Sequence, residues 1–200
     1  MLDRYRNWFY KTRFSIFVSA LVKSRVHPNL LTVLGLVFGI FAAYLIFKRY
    51  FLVSIVFLIL TALCDMCDGW VARLSRKTTK FGVIFDVTVD KYVEGFIGLA
   101  FAFVAPQVIF PAYIWVVIAV FGSIIISLVS NIGFYLSKKS SFKIVSRFDR
   151  GVIIVIGLLL ARFFGNIFLT YTIILIAILS HLTVLSLVID YYKILKKNKL

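Results

Sequence analysis

Acidic residues are scarce in this sequence. Eight Asp and Glu accompany 23 Lys and Arg in 200 residues, which gives a formal net charge of +15. Charged residues of both signs make up only 16% of the chain, whereas hydrophobic residues reach 62%. Soluble domains contain about a quarter charged and about half apolar residues. The shortage of charge therefore excludes an ordinary soluble enzyme and a disordered chain, and lipid must solvate much of the surface.

Cysteine and histidine are also rare, with two of each in the chain. Two cysteines exclude a disulfide-dense scaffold. Cys64 and Cys67 form a C-x-x-C pair, but a zinc site needs further ligands at short spacing, and His27 and His181 lie far away in the sequence. We interpret the pair as packed thiols on a helix.

Long apolar runs are what the chain does contain. A helix needs about 20 apolar residues to cross a bilayer. Six runs approach this length, at about 30–47, 51–68, 82–104, 113–136, 152–164 and 168–189. They predict an all-α integral membrane protein in which residues 27–200 form one bundle of six transmembrane helices. Residues 1–26 are basic and aromatic, and they predict an amphipathic juxtamembrane helix at the lipid surface.

The basic residues fall between the apolar runs and almost entirely on one side of them. Only Lys48, Arg49 and Arg162 belong to the other side, and Lys91 lies within the third run. Short loops rich in Lys and Arg face the cytoplasm. We therefore expect a multi-pass protein of the cell membrane with both termini in the cytoplasm. This placement assigns the positive charge to membrane lipids rather than to nucleic acid.

Five of the eight acidic residues lie within thirty positions: Asp65, Asp68, Asp86, Asp90 and Glu94. The first pair is spaced i, i+3 and the second i, i+4, so each pair shares one helical face. A short turn joins the two runs that carry them. Antiparallel packing of these runs brings four Asp carboxylates together near the cytoplasmic surface.

Carboxylates gathered in a low dielectric need cations. An all-oxygen ligand set suits hard ions such as Mg²⁺, Mn²⁺ or Ca²⁺, and two such ions can clamp a phosphoryl group. Gly69 and Gly82 allow a ligand to approach the backbone, and Arg73 can neutralise a diphosphate. The alternative is that the acids serve only as partners in buried salt bridges; intramembrane charges more often have a function.

The same residues resemble the signature of the CDP-alcohol phosphotransferase family, D-x2-D-G-x2-A-R-x8-G-x3-D-x3-D. The chain matches it at every fixed position, which are Asp65, Asp68, Gly69, Ala72, Arg73, Gly82, Asp86 and Asp90. The stretch HPNLLT at 27–32 is also similar to the family's approach to its first span. The resemblance implies six spans, a cytoplasmic site, and transfer from a CDP-linked alcohol to a second alcohol with release of CMP.

The resemblance also implies roles for these residues. Asp65, Asp68 and Asp86 bind Mg²⁺ or Mn²⁺, and two ions are expected. Asp90 is the general base and a further metal ligand. The residues that it implies for CDP binding are Asn29, Thr32, Asp68, Gly69, Ala72, Arg73 and Gly82. The expected donor is CDP-diacylglycerol or CDP-archaeol, and a homodimer is an expectation from the resemblance alone.

The sequence indicates the acceptor alcohol less clearly than the donor. Arg147 and Arg150 lie three residues apart in the sequence SRFDRG, on the same side as the expected site. They are candidates for binding the phosphate of a small polar acceptor such as glycerol phosphate or inositol phosphate. The stretch SNIGFY at the end of the fourth run has no basic residue, which weakens an inositol phosphate assignment.

Two alternatives stay open at this point. The first has the same chemistry but joins a soluble CDP-linked alcohol, such as CDP-inositol, to an inositol phosphate. The second is a cation transporter whose acids line an ion path. A transporter predicts broken helices or inverted halves around a midplane site, and the sequence indicates neither.

Overall fold

The computed structural model describes residues 13–135 and 144–197, and every regular element in these ranges is an α-helix. This confirms the all-α prediction for the described chain. The expected surface helix falls partly on residues 1–12, and three basic loop residues fall on 136–143; both stretches lie outside the described residues. The helices are α1 (Arg13–Lys23), α2 (Pro28–Phe47), α3 (Phe51–Leu74), α4 (Lys80–Val104), α5 (Ala112–Tyr135), α6 (Arg147–Phe164) and α7 (Ile167–Lys197).

Four of the described helices are long and apolar enough to cross a membrane. They comprise Pro28–Phe47, Phe51–Leu74, Ala112–Gly133 and Ile167–Lys196. The other two predicted spans are helical, but α4 contains five charged residues and α6 contains four. Length and composition therefore support an integral membrane protein, and the six-span arrangement remains a prediction.

Three helices end in tight turns with an arginine in the left-handed region. Arg25, Arg49 and Arg76 have φ values of 55°, 64° and 55°. At the end of α2, the Tyr50 N–H donates to the Leu45 carbonyl and the Arg49 N–H donates to the Ile46 carbonyl, both at 2.8 Å. This pattern of 6→1 and 5→2 hydrogen bonds satisfies the last carbonyls of the helix. It reverses the chain within about three residues, which is why α2 and α3 follow each other so closely.

The chain divides into two compact units. The first consists of Met1–Phe41, as far as it is described, and Phe57–Val93. In this unit α1 packs its apolar side against α2 and α3, and the fully packed residues there are Val18, Leu31, Cys67 and Val71. Helices α2 and α4 approach closely at Gly39, because a Cβ added there would lie 2.7 Å from Val93 Cγ2. The first unit contains the whole acidic motif from Asp65 to Asp90.

The second unit consists of Ala42–Val56 and Glu94–Leu200. Here α7 is the central helix, and both α5 and α6 pack along it. A Cβ added at Gly122 would lie 2.9 Å from Ser180 Cβ, so α5 and α7 are in close contact. His181 Nε2 lies 3.2 Å from the Ile118 carbonyl oxygen at the same interface. This histidine therefore has a packing role within the unit.

Candidate functional site

Three of the four motif carboxylates converge on one point of the first unit. Asp65 and Asp68 project from α3 and Asp86 from α4, and one oxygen of each lies within 4.8 Å of the others. The i, i+3 spacing in α3 places its two acids on one face, and the turn at residues 75–79 returns the chain so that α4 presents Asp86 to that face. Asp90, one turn further along α4, does not belong to this group of three. An oxygen-only cluster of this size fits a hard divalent cation.

Asp68 is the most buried carboxylate of the three, and a threonine orients it. Asp68 and Thr32 are both 6% exposed, and Thr32 Oγ1 donates a hydrogen bond of 2.7 Å to Asp68 Oδ2. The Thr32 hydroxyl also lies 3.3 Å from the Pro28 carbonyl oxygen in its own helix. A carboxylate held by a neighbouring donor keeps its remaining lone pairs in a fixed direction. The structure thus places Thr32 directly against a predicted metal ligand.

The start of the motif holds an arginine against the helix. Arg73 lies over the ring of Trp70, with its guanidinium carbon 4.8 Å from the ring centroid. A Cβ added at Gly69 would lie 3.4 Å from Arg73 Nη2. The guanidinium of Arg73 therefore lies beside Gly69 along α3, at a distance that a Cβ would fill by ordinary van der Waals contact. Ala72, the small residue between them in the motif, is partly exposed.

The second motif glycine lies beside another predicted residue. The Gly82 N–H donates a hydrogen bond of 2.9 Å to Thr79 Oγ1 at the start of α4. A Cβ added at Gly82 would lie 3.5 Å from Asn29 Oδ1. Asn29, Thr32 and Gly82 thus belong to the same unit as the carboxylates, and the first turn of α2 contributes two polar side chains to it.

Arg150 is buried in the second unit, not exposed as a loop cation is. It is 6% exposed, and its Nη2 lies 2.9 Å from Glu94 Oε1 and 3.1 Å from Ser123 Oγ. The Ser123 hydroxyl also donates to Glu94 Oε2 at 2.6 Å. Arg147, three residues earlier, is exposed. The two arginines that the sequence grouped together therefore have different surroundings.

A capping box fixes the start of α6. Ser146 Oγ accepts a hydrogen bond from the Asp149 N–H at 3.3 Å, and the Ser146 N–H donates to Asp149 Oδ2 at 2.7 Å. These hydrogen bonds hold the pKa of Asp149 below its ordinary value. The helix therefore begins at Arg147, five residues before the apolar run that predicted it.

The sequence assigned no role to Glu94 or Ser123. Glu94 belongs to the acidic cluster and follows Asp90 by four residues, which is a helical repeat. This spacing and the presence of Arg150 at the start of a later helix are the sequence features that point to an ion pair between Glu94 and Arg150. Ser123 gives no signal, because a single serine in an apolar helix is common.

Comparison with known proteins identifies the family. A sequence model described as CDP-alcohol phosphatidyltransferase matches residues 25–189. A phosphatidylinositol phosphate synthase of Corynebacterium glutamicum is 32% identical over 146 residues, which cover 69% of this chain and 65% of that protein. A bifunctional IPC transferase and DIPP synthase of Aquifex aeolicus is 34% identical over 111 residues. That match covers 55% of this chain and only a quarter of the length of the bifunctional protein.

Solved structures share the fold. The phosphatidylinositol phosphate synthase of Mycobacterium tuberculosis with CDP-DAG bound matches with a TM-score of 0.74 at 20% identity, covering 87% of this chain and 90% of that one. The same protein in complex with manganese and citrate matches with a TM-score of 0.75 at 20% identity, covering 88% of this chain and 87% of that one.

Proposed function

Because this chain belongs to the CDP-alcohol phosphatidyltransferase family and is therefore an enzyme, we propose that it acts in phospholipid biosynthesis. It transfers a phosphatidyl-type group from a CDP-linked lipid to a small polar alcohol. CDP-diacylglycerol or CDP-archaeol is the donor, and CMP is released. The observation that carries the proposal is the cluster of Asp65, Asp68 and Asp86, set within a family signature that is complete in this chain.

The carboxylates fit a pair of Mg²⁺ or Mn²⁺ ions. Asp65, Asp68 and Asp86 supply oxygen ligands within 4.8 Å of one another, and we assign Asp90 as a further ligand one helical turn away. When bound, such ions neutralise the diphosphate and stabilise the charge that develops on the transferred phosphoryl group. The Thr32 hydroxyl keeps Asp68 in its ligating orientation.

The first turn of α2 and the ends of α3 and α4 are assigned to the nucleotide. Arg73 balances the charge of the diphosphate, and Gly69 and Ala72 leave room beside it. Asn29 and Gly82 lie close together, and Asn29 offers its side-chain amide to the cytidine beside the small Gly82. Thr32 and Asp68 are also assigned to the nucleotide side of the site. Asp68 belongs to the carboxylate cluster, and Thr32 contacts it by a hydrogen bond.

Asp90 takes the proton from the acceptor. The acceptor oxygen attacks the lipid-linked phosphorus, the phosphorus–oxygen bond to CMP breaks, and CMP leaves with the electron pair of that bond. The proton of the acceptor hydroxyl passes to the Asp90 carboxylate, which must be ionised beforehand. Asp90 suits this role because it stands apart from the three-carboxylate group while remaining on the same helix as Asp86.

The acceptor is a phosphorylated alcohol in this proposal. Arg147 and Arg150 at the start of α6 bind its phosphate, with the buried Arg150 as the principal donor. The active site and both chain ends lie on the cytoplasmic side, and the enzyme works as a homodimer in the cell membrane. Orientation follows from the distribution of Lys and Arg along the chain.

A second candidate keeps the chemistry and changes the donor. The similarity to a bifunctional IPC transferase and DIPP synthase favours testing whether a soluble CDP-linked alcohol, such as CDP-inositol, replaces the CDP-lipid. The same carboxylate cluster serves either donor, because both present a cytidine diphosphate.

The experiment is a substrate panel with purified protein in detergent and Mn²⁺. CDP-diacylglycerol, CDP-archaeol and CDP-inositol are each paired with glycerol 3-phosphate, inositol 1-phosphate, inositol and serine, and CMP is measured by chromatography. We expect CMP release to require one CDP-lipid and one phosphorylated alcohol. Asp86→Asn abolishes it, whereas Asp190→Asn, an acid-to-amide change outside the motif, leaves it unchanged. Absence of CMP with every pair refutes the proposal.

A further inference from the structure

Three polar side chains from three helices of the second unit form a closed triangle. Glu94 is on α4, Ser123 on α5 and Arg150 on α6. The three pairs of atoms lie 2.6, 2.9 and 3.1 Å apart, and all three are hydrogen bonds. Ser123 is 4% exposed and Arg150 is 6% exposed. The Glu94 side chain is partly buried, at 22% exposed. The network holds Ser123 and Arg150 in place, because these two groups have lost most of their water partners.

The triangle uses only one end of the arginine. Both hydrogen bonds from Arg150 within it start at Nη2. Its Nη1 is buried and has no hydrogen-bond partner among the described residues. A guanidinium is a planar fork with five N–H donors, and a buried donor without a partner is costly. The Nη2 group of Arg150 is therefore held by Glu94 and Ser123. The Nη1 group keeps its N–H donors for a further hydrogen-bond acceptor.

We propose that Glu94 and Ser123 are positioning residues that hold Arg150 so that its Nη1 arm binds the phosphate of the acceptor alcohol. This inference rests on the proposed function for Arg150. Glu94 balances the buried cation when no acceptor is bound, and Ser123 fixes the rotation of the guanidinium plane by contacting Nη2 and Glu94 together. Neither residue contacts the acceptor itself.

The first test removes the Ser123 hydroxyl from the triangle with little change in side-chain volume. In Ser123→Ala the guanidinium loses one of its two anchors, and we expect the kcat/KM for the phosphorylated acceptor to fall about tenfold. The KM for the CDP-lipid stays within about twofold. The matched control is Ser130→Ala on the same helix, because the Ser130 hydroxyl is buried and has no hydrogen-bond partner in the part of the chain that the structure describes. An equal loss in both variants contradicts the proposal.

A double-mutant cycle separates positioning from general stability. If Ser123 acts through Arg150, the Ser123→Ala change has no further effect on the kcat/KM for the acceptor in an Arg150→Ala background. A fall of the same factor in both backgrounds shows that Ser123 acts independently of Arg150 and overturns the inference.

The role of Glu94 is tested with two substitutions of different severity. Glu94→Gln retains a hydrogen-bonding side chain of the same length, whereas Glu94→Ala removes the carboxylate that forms the ion pair with the buried guanidinium. We expect the rise in acceptor KM to be smaller in Glu94→Gln than in Glu94→Ala. If Glu94→Ala fails to fold, Ser123→Ala and Glu94→Gln still decide the question. An acceptor KM that stays at the wild-type value in Glu94→Gln and Ser123→Ala refutes positioning.

Binding of inorganic phosphate provides a readout without turnover. We expect millimolar phosphate to raise the Tm of the wild-type protein above its value in chloride at equal ionic strength. The increase is lost in Arg150→Ala and reduced in Ser123→Ala, but kept in Ser130→Ala. A wild-type phosphate response that is unchanged in Arg150→Ala contradicts the inference even if the enzyme releases CMP. If no substrate pair yields CMP, the proposed function fails, and the phosphate response still tests Arg150.

Discussion

Thr32 offers the sharpest single perturbation of the proposed metal site. The substitution Thr32→Val keeps the shape of the side chain and removes only the hydroxyl that donates to Asp68 Oδ2 at 2.7 Å. Both residues are 6% exposed, so water does not readily replace the lost donor. We expect Asp68 to lose its fixed orientation and the affinity for the divalent cation to fall.

The magnitude follows from the type of hydrogen bond. A hydrogen bond to a charged group contributes about 1.5–3 kcal/mol, which corresponds to roughly a tenfold to hundredfold change in an equilibrium constant. Substitution of groups that orient metal ligands has the same range of effect on metal affinity. We therefore expect the Mn²⁺ concentration for half-maximal activity to rise about 10- to 100-fold in Thr32→Val.

The assay is a Mn²⁺ titration of CMP release at saturating substrates. Thr61→Val is the matched control, because the Thr61 hydroxyl on α3 donates to the Phe57 carbonyl in its own helix at 2.9 Å. The control should retain the wild-type Mn²⁺ dependence. An unchanged Mn²⁺ dependence in Thr32→Val refutes this reasoning, and a raised KM for the CDP-lipid would then limit Thr32 to its role on the nucleotide side of the site.

Four further predictions test the site, the packing and the start of α6. Asp90→Asn is expected to remove most CMP release while retaining binding of the CDP-lipid, whereas Asp65→Asn weakens both; equal loss of binding in the two variants would make Asp90 principally a metal ligand. Gly39→Ala should lower the Tm, because its Cβ would lie 2.7 Å from a packed side chain, and overpacking costs about 1–3 kcal/mol. Gly95→Ala should raise the Tm, because its Cβ meets no atom of the described residues within 4 Å and alanine favours a helix by about 1 kcal/mol. The pKa of Asp149 is lowered from 3.8, so the Tm advantage of the wild type over Asp149→Asn is present above pH 3.8 and disappears as the pH falls through the lowered pKa.

The convergence of the carboxylates could be predicted because it depends on local spacing. The i, i+3 pair in α3 and the short connection to α4 leave few ways to arrange Asp65, Asp68 and Asp86, and the structure brings these three together. The hydrogen bond from Thr32 to Asp68 joins residues 36 positions apart. Periodicity shows which face of a helix is polar, but not which helix packs against it, so this contact needed the structure.

The surroundings of Arg150 were harder to predict from the sequence, because they too depend on which helices pack together. A cluster of Lys and Arg between apolar runs indicates a cytoplasmic loop, and Arg150 belongs to such a cluster in the sequence. The capping box of Ser146 and Asp149 instead starts α6 early and carries Arg150 into the packed part of the helix. The Ser-x-x-Asp pattern is a recognisable helix start, so this boundary was available in the sequence. The pairing of Arg150 with Glu94 was not, since it joins residues 56 positions apart.

In the proposed function, the enzyme couples CMP release to the formation of a new phospholipid at a divalent metal site. The most direct measurement quantifies CMP and the lipid product in the same reaction, first in excess EDTA and then after Mn²⁺ or Mg²⁺ is added back. We expect one lipid product for each CMP, no turnover in EDTA, and recovery with either ion. Full turnover in EDTA, or CMP release without a lipid product, would contradict the account.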